Sequence, residues 1–276
     1  MRTASPLRYP GGKATLSGLL TDIRRMNCLG AMPFAEPFAG GAGAALTLLL
    51  REEARSILIN DADPAIADLW WSIVHCSEEF GDKIETIPLT IEEWTTQREV
   101  YRSPSSGRFD RGFAAFYLNR TNRSGVIVNG GPIGGHEQQG KWKIDARFNR
   151  KDLVERCKRI SEYGSRIALS DDDGRTFVER VGSSDVFMFI DPPYFEKGPL
   201  LYLNGIDSDY HGALAGTLHR RESQPWVLTY DDCSEIRALY EPWACVRPYS
   251  LRYSAAERRD GKEVMITPRW MTVPAA

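Results

Sequence analysis

The chain has 276 residues, is 42% hydrophobic and 26% charged, and carries a formal net charge of −2. That profile fits one large α/β domain, alone or with an insertion, whose core needs no covalent staples. No apolar run reaches the length of a membrane span and the stretch from Arg2 to Pro6 lacks the apolar core of a signal peptide, so a cytoplasmic protein is expected, with no membrane partner. The cysteines Cys28, Cys76, Cys157, Cys233 and Cys245 form no C-x-x-C pair, and the histidines show no ligand spacing. His75 and Cys76 are neighbours on an expected helix and point apart, so no metal is expected.

In chain order, the turn-rich Leu7-Arg8-Tyr9-Pro10-Gly11-Gly12-Lys13 leads into a helix through Arg25. Pro33 to Phe38 reads as a short strand that breaks at Gly40-Gly41-Ala42-Gly43 and continues as an apolar helix through Leu50. Ser56 to Asn60 reads as a second buried strand ending in Asp61, and a helix carrying Leu69, Trp70, Ile73 and Val74 follows from Pro64. Strand, glycine turn, helix, strand and acid make a βαβ unit, which implies a parallel sheet with a right-handed crossover. From His75 to Gly164 the alternation is lost. This middle reads as an insertion, mostly irregular and helical, with a polar helix from Ile91 to Tyr101, an apolar helix from Phe113 to Leu118 and a glycine-rich run from Asn129 to Gly135. Between Arg98 and Arg166 there are 15 Lys and Arg against 7 Asp and Glu, a surplus of 8 that leaves −10 on the rest of the chain. A basic segment in an acidic body suits a polyanionic partner. Strands return at Ile167 to Leu169, Val186 to Ile190, Trp226 to Tyr230 and Glu263 to Thr267. The expected division is a first catalytic part over 1–76, an inserted part over 77–164 and a second catalytic part over 165–276.

Ligands of open α/β sheets sit beyond the carboxyl ends of the strands, and three motifs fall there. Glycines in Glu36-Pro37-Phe38-Ala39-Gly40-Gly41-Ala42-Gly43 let the backbone turn tightly and approach a cofactor. Leu46 occupies the position where a G-x-G-x-x-G pattern has its third glycine, which disfavours a nicotinamide or flavin enzyme. Asp61, ending the next strand, is placed to accept the ribose hydroxyls of an adenosyl cofactor without choosing which one. Asp191-Pro192-Pro193-Tyr194 after a buried strand decides the class. It suits methylation of an exocyclic amino group on a base, whose nitrogen lone pair is delocalised into the ring. A carboxylate from Asp191 and the carbonyl of Pro192, held by the two prolines, would accept the two N–H groups and localise that lone pair. Asp191 would then stabilise the positive charge arriving on nitrogen, and Tyr194 offers a flat face for an extruded base. The spacing of Tyr9 and Lys13 suits an aromatic and an ammonium beside the carboxylate of the cofactor's methionine.

Together these residues resemble the Dam-like DNA adenine N6-methyltransferases, the D12 class with the α motif order. The resembling segments are Tyr9 to Lys13, Glu36 to Gly43, Asp61, Asp191 to Tyr194, the recognition signature Phe116-Tyr117-Leu118-Asn119-Arg120-Thr121, and the closing Gly261 to Thr267. The resemblance implies a Rossmann-like methyltransferase sheet with an inserted, mostly helical target-recognition domain, S-adenosylmethionine as methyl donor and double-stranded DNA as substrate. It implies cofactor contacts from Tyr9, Lys13, Glu36, Phe38, Gly40, Gly43, Asp61 and Asp191, with Asp173 meeting the adenine ring, and catalysis by Asp191, Pro192, Pro193 and Tyr194. Asn119, Arg120, Asn122, Arg123, Lys141, Lys143 and Arg147 are the expected DNA contacts. GATC-specific members carry an arginine where this chain has Val128 and an intercalating aromatic where it has Arg123, so GATC is not carried over. A bacterial or phage origin is implied, with a cognate restriction endonuclease as partner in a restriction-modification setting. The competing readings are methylation of RNA or of a protein side-chain amide, a non-catalytic DNA-binding relic, which the intact motifs disfavour, and a nucleotide-dependent oxidoreductase.

Overall fold

Alternation along the central strands sorts their side chains onto two faces. The strands are β1 (Phe34–Glu36), β2 (Ile57–Asn60), β3 (Ile167–Ser170), β4 (Phe187–Ile190), β5 (Trp226–Asp231), β6 (Cys245–Tyr249) and β7 (Glu263–Thr267). Phe34, Phe187, Phe189, Val227 and Met265 join one hydrophobic cluster. Their neighbours Ala35, Met188, Ile190, Leu228 and Ile266 join another. A sheet buried on both faces reads in sequence as continuous apolar runs rather than alternating ones. The computed structural model describes residues 4–8, 13–181, 185–195, 208–249 and 263–274.

The order across the sheet is β3-β2-β1-β4-β5-β7-β6. Strands β1 to β5 run parallel, and β7 is antiparallel to both β5 and β6. The chain leaves β1 toward β2 and β3 on one side and returns to β4 on the other. The strand order therefore reverses between β1 and β4, which opens a crevice beyond their carboxyl ends. Sequence places six of the strands to within a residue or two and misses β6, an edge strand in which Arg247 and Pro248 interrupt the apolar run.

One face carries α1 (Ser17–Met26), α2 (Gly43–Leu50) and α3 (Pro64–His75). Asp63 starts α3 by accepting from the Ala65 N–H, with Pro64 in the first turn where its missing N–H costs nothing. The inserted part is more regular than expected. It contains α4 (Ser77–Thr86), α5 (Ile91–Arg102), α6 (Arg108–Thr121) and α7 (Arg150–Ser161). Thr90 caps α5 and Asn149 caps α7 through side-chain oxygens. Helix α6 is buried from Gly112 to Asn119 without a break, so no polar face marks its period. It lies so close to α3 that a Cβ at Gly112 would sit 2.5 Å from the Asp68 carbonyl oxygen. Phe80 packs edge-on against Phe109, Phe113 and Phe116 at 6.1, 5.2 and 5.2 Å between ring centroids. These rings belong to the cluster that also holds Phe34 and Ile57 of the sheet, so insertion and sheet share one core. The other face carries α8 (Gly174–Val181), α9 (Ser208–His219) and α10 (Ser234–Tyr240), through Phe177, Leu214, Leu218 and Ile236.

Candidate active site

The crevice between β1 and β4 gathers polar side chains from six strand ends. Asp191 follows β4 directly, with its side chain 24% exposed. Its Oδ1 accepts from the Thr229 hydroxyl at 2.5 Å and lies 3.4 Å from the Lys13 ammonium. Both contacts fall on one oxygen, so Oδ2 keeps its lone pairs for a substrate. Burial raises the Asp191 pKa, the Lys13 charge and the Thr229 hydrogen bond oppose the rise, and the nearby Glu263 charge adds to it. The Pro192 carbonyl accepts no hydrogen bond from the described residues. Pro192 is buried, and Pro193 and Tyr194 are half-buried.

Lys13 opens a short 3-10 turn, Lys13–Leu16, and is itself buried. Its ammonium donates to the Tyr194 hydroxyl, to Glu263 Oε2 at 3.3 Å and to the Tyr249 hydroxyl at 3.4 Å, and lies 5.1 Å from the Tyr194 ring centroid. One cation thus stands between two carboxylates, Asp191 and Glu263, in a largely dry site. Asp231, at the end of β5, accepts from the Phe195 N–H at 3.1 Å and ties the Asp-Pro-Pro-Tyr loop to its neighbouring strand. Thr229, Asp231, Tyr249 and Glu263 were missed by the sequence analysis. For Thr229, Asp231 and Glu263 the sequence signal is a polar residue within or at one end of an otherwise apolar strand, and Tyr249 has none, since β6 itself is not apolar.

On the β1 side the glycine loop is built around Asp61. Its Oδ2 accepts from the Gly40 N–H at 2.7 Å and its Oδ1 from the Asp63 N–H at 2.9 Å. Each oxygen retains a lone pair that a hydroxyl can use. Burial pushes the Asp61 carboxyl up to about 7, against those two N–H donors. Gly40 has φ 46°, a left-handed conformation that costs a glycine little. Gly43 begins α2 where a Cβ would lie 3.3 Å from the Ala14 nitrogen, so the Lys13 turn packs directly on the loop. Phe38 lies across Gly174, where a Cβ would come within 2.3 Å of its ring. Glu36 is buried beneath the loop rather than lining it, and its Oε1 accepts from the Ala45 N–H at 3.0 Å. Burial pushes Glu36 up to about 8, with the Asp191 charge adding to the rise.

Tyr9 lies outside the described residues. Asp173 does not stand free at the end of β3. Its Oδ1 caps α8 by accepting from the Arg175 and Thr176 N–H groups, and its Oδ2 accepts from the Tyr210 hydroxyl. Asp172 pairs with Arg180 at 2.7 Å. Of the three consecutive acids only Asp171, the residue directly after β3, is exposed with no hydrogen bond to a described residue.

The expected DNA contacts divide in two. Arg123, Lys141, Lys143 and Arg147 are exposed. Asn119 and Asn122 are fully buried, which corrects the expectation that they face a duplex. Asn119 accepts from the Arg8 N–H and donates to the Arg8 and Gly125 carbonyls. Asn122 accepts from the Trp94 indole and donates to the Val126 carbonyl. Their amides are consumed in holding the Arg8 segment and the turn after α6, and the physical reason is that α6 ends inside the core. Arg120 is half-buried and donates to the Pro6 and Arg147 carbonyls. Burial and the charges of Arg8, Arg156 and Arg147 lower it to about 10. Among the described residues no group of three or more His, Cys, Asp or Glu is placed to hold a metal ion, and no helix is long and apolar enough to cross a membrane.

Among solved structures, the rRNA methyltransferase aviRa from Streptomyces viridochromogenes matches at 14% identity over 94% of this chain and 86% of that one, with a TM-score of 0.36. No curated protein matches. The sequence profile of the D12 class N6 adenine-specific DNA methyltransferases matches residues 9–253, a span that takes in the glycine loop, the inserted helices and the Asp-Pro-Pro-Tyr loop. The chain belongs to the D12 class N6 adenine-specific DNA methyltransferase family.

Proposed function

We propose that S-adenosylmethionine is the methyl donor of this adenine-specific DNA methyltransferase and that Asp191 and Pro192 activate N6 of an extruded adenine. The observation that carries the proposal is the single-sided pairing of Asp191, whose Oδ1 is held by Thr229 and Lys13 while Oδ2 is left to the crevice.

The residues present fit the donor. A sulfonium and an ammonium are cations, and the crevice offers them the carboxylate of Asp191. Lys13 is the cation suited to the donor's carboxylate. Asp61 retains lone pairs for two ribose hydroxyls, and Phe38 and Asp171 flank the space beyond β1 and β3. Bound there, the donor supplies a methyl group already activated on sulfur. Asp191 Oδ2 and the Pro192 carbonyl accept the two N–H groups of N6, which favours a tetrahedral nitrogen with its lone pair aimed at that methyl group. Asp191 stabilises the charge that nitrogen acquires, in a site where water is largely excluded. A carboxyl whose pKa burial has raised is also a competent acceptor for the proton that leaves N6 afterwards. Tyr194 gives the extruded base a face to stack on.

Residues 77–164 would supply target recognition, with Arg120, Arg123, Lys141, Lys143 and Arg147 neutralising backbone phosphates. The natural setting would be the cytoplasm of a bacterium or phage-infected cell, with a cognate endonuclease where the enzyme serves self-protection. The test is single-molecule sequencing of genomic DNA from a host without adenine methylation. Wild-type chain should leave N6-methyladenine in a defined motif, and Asp191→Ala should cut turnover by at least about 10³-fold with the fold intact. Near-normal methylation by Asp191→Ala would overturn the mechanism.

A further inference from the structure

We propose that Asp63 is the positioning residue of the ribose acid Asp61, and that Tyr101 holds Asp63 in that role, so that the inserted part shares in building the cofactor site. The proposal rests on the reading of Asp61 as the acid that takes the ribose hydroxyls of S-adenosylmethionine.

Asp63 stands where three parts of the molecule meet. Its N–H donates to Asp61 Oδ1 at 2.9 Å and, together with the Gly40 N–H on Oδ2, sets the plane of that carboxyl. Its own Oδ1 caps α3 by accepting from the Ala65 N–H at 2.9 Å, and its carbonyl accepts from the Ile66 and Ala67 N–H groups at 3.0 Å. Its Oδ2 accepts from the hydroxyl of Tyr101, on α5 of the inserted part, at 3.4 Å and across 38 residues of chain. Asparagine and serine cap a helix as well as aspartate does, so capping alone does not call for a charge here.

Helix α3 carries the link on to the glycine loop. The Trp70 indole donates to the Gly40 carbonyl at 2.9 Å, while the Gly40 N–H donates to Asp61. Gly40 is thus held between α3 and the ribose acid. The inserted part clamps the same helix, because Arg108 Nε donates to Asp68 Oδ1 at 2.8 Å and Arg111 Nε to Asp68 Oδ2 at 2.7 Å. Arg108 also lines the cavity beyond β2 and β3 together with Asp61, Trp70 and Ser170.

Charge makes Asp63 more than a cap. Like charges this close oppose each other's ionisation, and the Asp63 charge adds to the burial that raises Asp61. Burial raises Asp63 as well. The donors of the first turn of α3 oppose that rise, and the inserted part opposes it with the Tyr101 hydroxyl and the Arg111 charge. Burial and the two acids in turn push Tyr101 well above its ordinary value, with Arg102 opposing, so its hydroxyl stays a donor. Beyond β3, Asp171 is exposed. Asp63 therefore both orients Asp61 and sets the pH at which it becomes the carboxylate that two ribose hydroxyls need.

The test uses the full chain and compares wild type with Asp63→Asn, Tyr101→Phe and Asp61→Asn. Asparagine at 63 keeps the cap and the N–H to Asp61 and removes only the charge. Carbon-13 carboxyl resonances of the ligand-free chain are followed against pH, and loss of a resonance in each asparagine variant identifies Asp61 and Asp63. The Asp61 midpoint should fall by roughly one unit in Asp63→Asn. The Asp63 midpoint should rise in Tyr101→Phe, which loses a donor to the charged form. In calorimetry, Asp63→Asn should bind S-adenosylmethionine up to about tenfold more tightly than wild type near pH ~6, and within about threefold of it near pH ~8.5. A merely structural role would weaken binding at both. An unmoved Asp61 midpoint in Asp63→Asn, or weaker binding at both pH values, overturns the role of Asp63, and an unmoved Asp63 midpoint in Tyr101→Phe overturns that of Tyr101. The titration needs no cofactor. Midpoints that move as expected in a chain that takes up no S-adenosylmethionine would therefore overturn the donor assignment and leave the coupling of the two acids standing.

Discussion

The sheet crevice and the end of α6 both hold buried polar side chains, and they use them in opposite ways. In the crevice, Asp61 and Asp191 are fixed through some of their lone pairs and keep the rest available. At the end of α6, Asn119 and Asn122 direct their amide groups to neighbouring backbone and to Trp94. The difference follows from position. A strand end in an open sheet faces a crevice, whereas the last turn of a buried helix faces the core. Polar residues of the first kind are available for chemistry, and those of the second kind shape the loops that carry function at the surface.

Substitution should separate the two. Asn119→Ala leaves two carbonyls and one N–H without their partner in a buried place, and should cost about 3 kcal/mol of stability. It should also weaken cofactor binding, because the Arg8 segment it releases leads to Lys13. Thermal denaturation and calorimetry read both, and a variant as stable as wild type would remove Asn119 from the structural class. Asp61→Ala should lower affinity for S-adenosylmethionine by on the order of 10²-fold with little change in DNA affinity. The exposed Arg123→Gln should do neither. It should weaken DNA binding a few-fold and reduce the slope of log affinity against log salt by about one. An unchanged slope would take Arg123 off the duplex.

The same contrast explains what could be read from sequence. Asp191-Pro-Pro-Tyr194 and the glycine loop were legible because each ends an apolar run long enough to be a central strand, and strand ends in such sheets have one job. Thr229 and Glu263 were not, because their partners Asp191 and Lys13 are distant in the chain and meet only through sheet order. Helix α6 was seen in its apolar centre but not at its ends, and its burial on every side removed the period that separates an inward asparagine from an outward one. Asp171, Asp172 and Asp173 were indistinguishable in sequence, since which of them caps α8 depends on where that helix begins.

The crevice also carries a pH signature. With its carboxyl pushed up to about 7, Asp61 holds a proton much of the time at neutral pH, and only the ionised form can accept from both ribose hydroxyls while each oxygen keeps its backbone N–H. Cofactor affinity should rise with pH up to about 7 by as much as tenfold per unit and then level off. Asp61→Asn should flatten that profile, and binding at neutral pH should release a proton detectable in buffers of differing ionisation enthalpy. A flat wild-type profile would contradict the assignment.

The effect of Glu36 has a sign opposite to that of an acid held by a salt bridge. Burial and the Asp191 charge push it up to about 8, well above its ordinary value of 4.5. The folded chain therefore holds this proton more tightly than the unfolded one. The stability that follows is complete below about pH 4.5 and is lost as pH rises to about 8. Glutamine keeps an oxygen for the Ala45 N–H and does not titrate. Glu36→Gln should gain on wild type as pH rises and be the more stable chain above pH 8, by on the order of 1–3 kcal/mol; an offset that stays constant with pH would show that Glu36 does not titrate in this range. A carboxyl that lowers stability at neutral pH and lies close enough to Asp191 for their charges to interact favours the arrival of positive charge. Saturating S-adenosylmethionine, which brings two cationic centres, should therefore narrow the difference between Glu36→Gln and wild type.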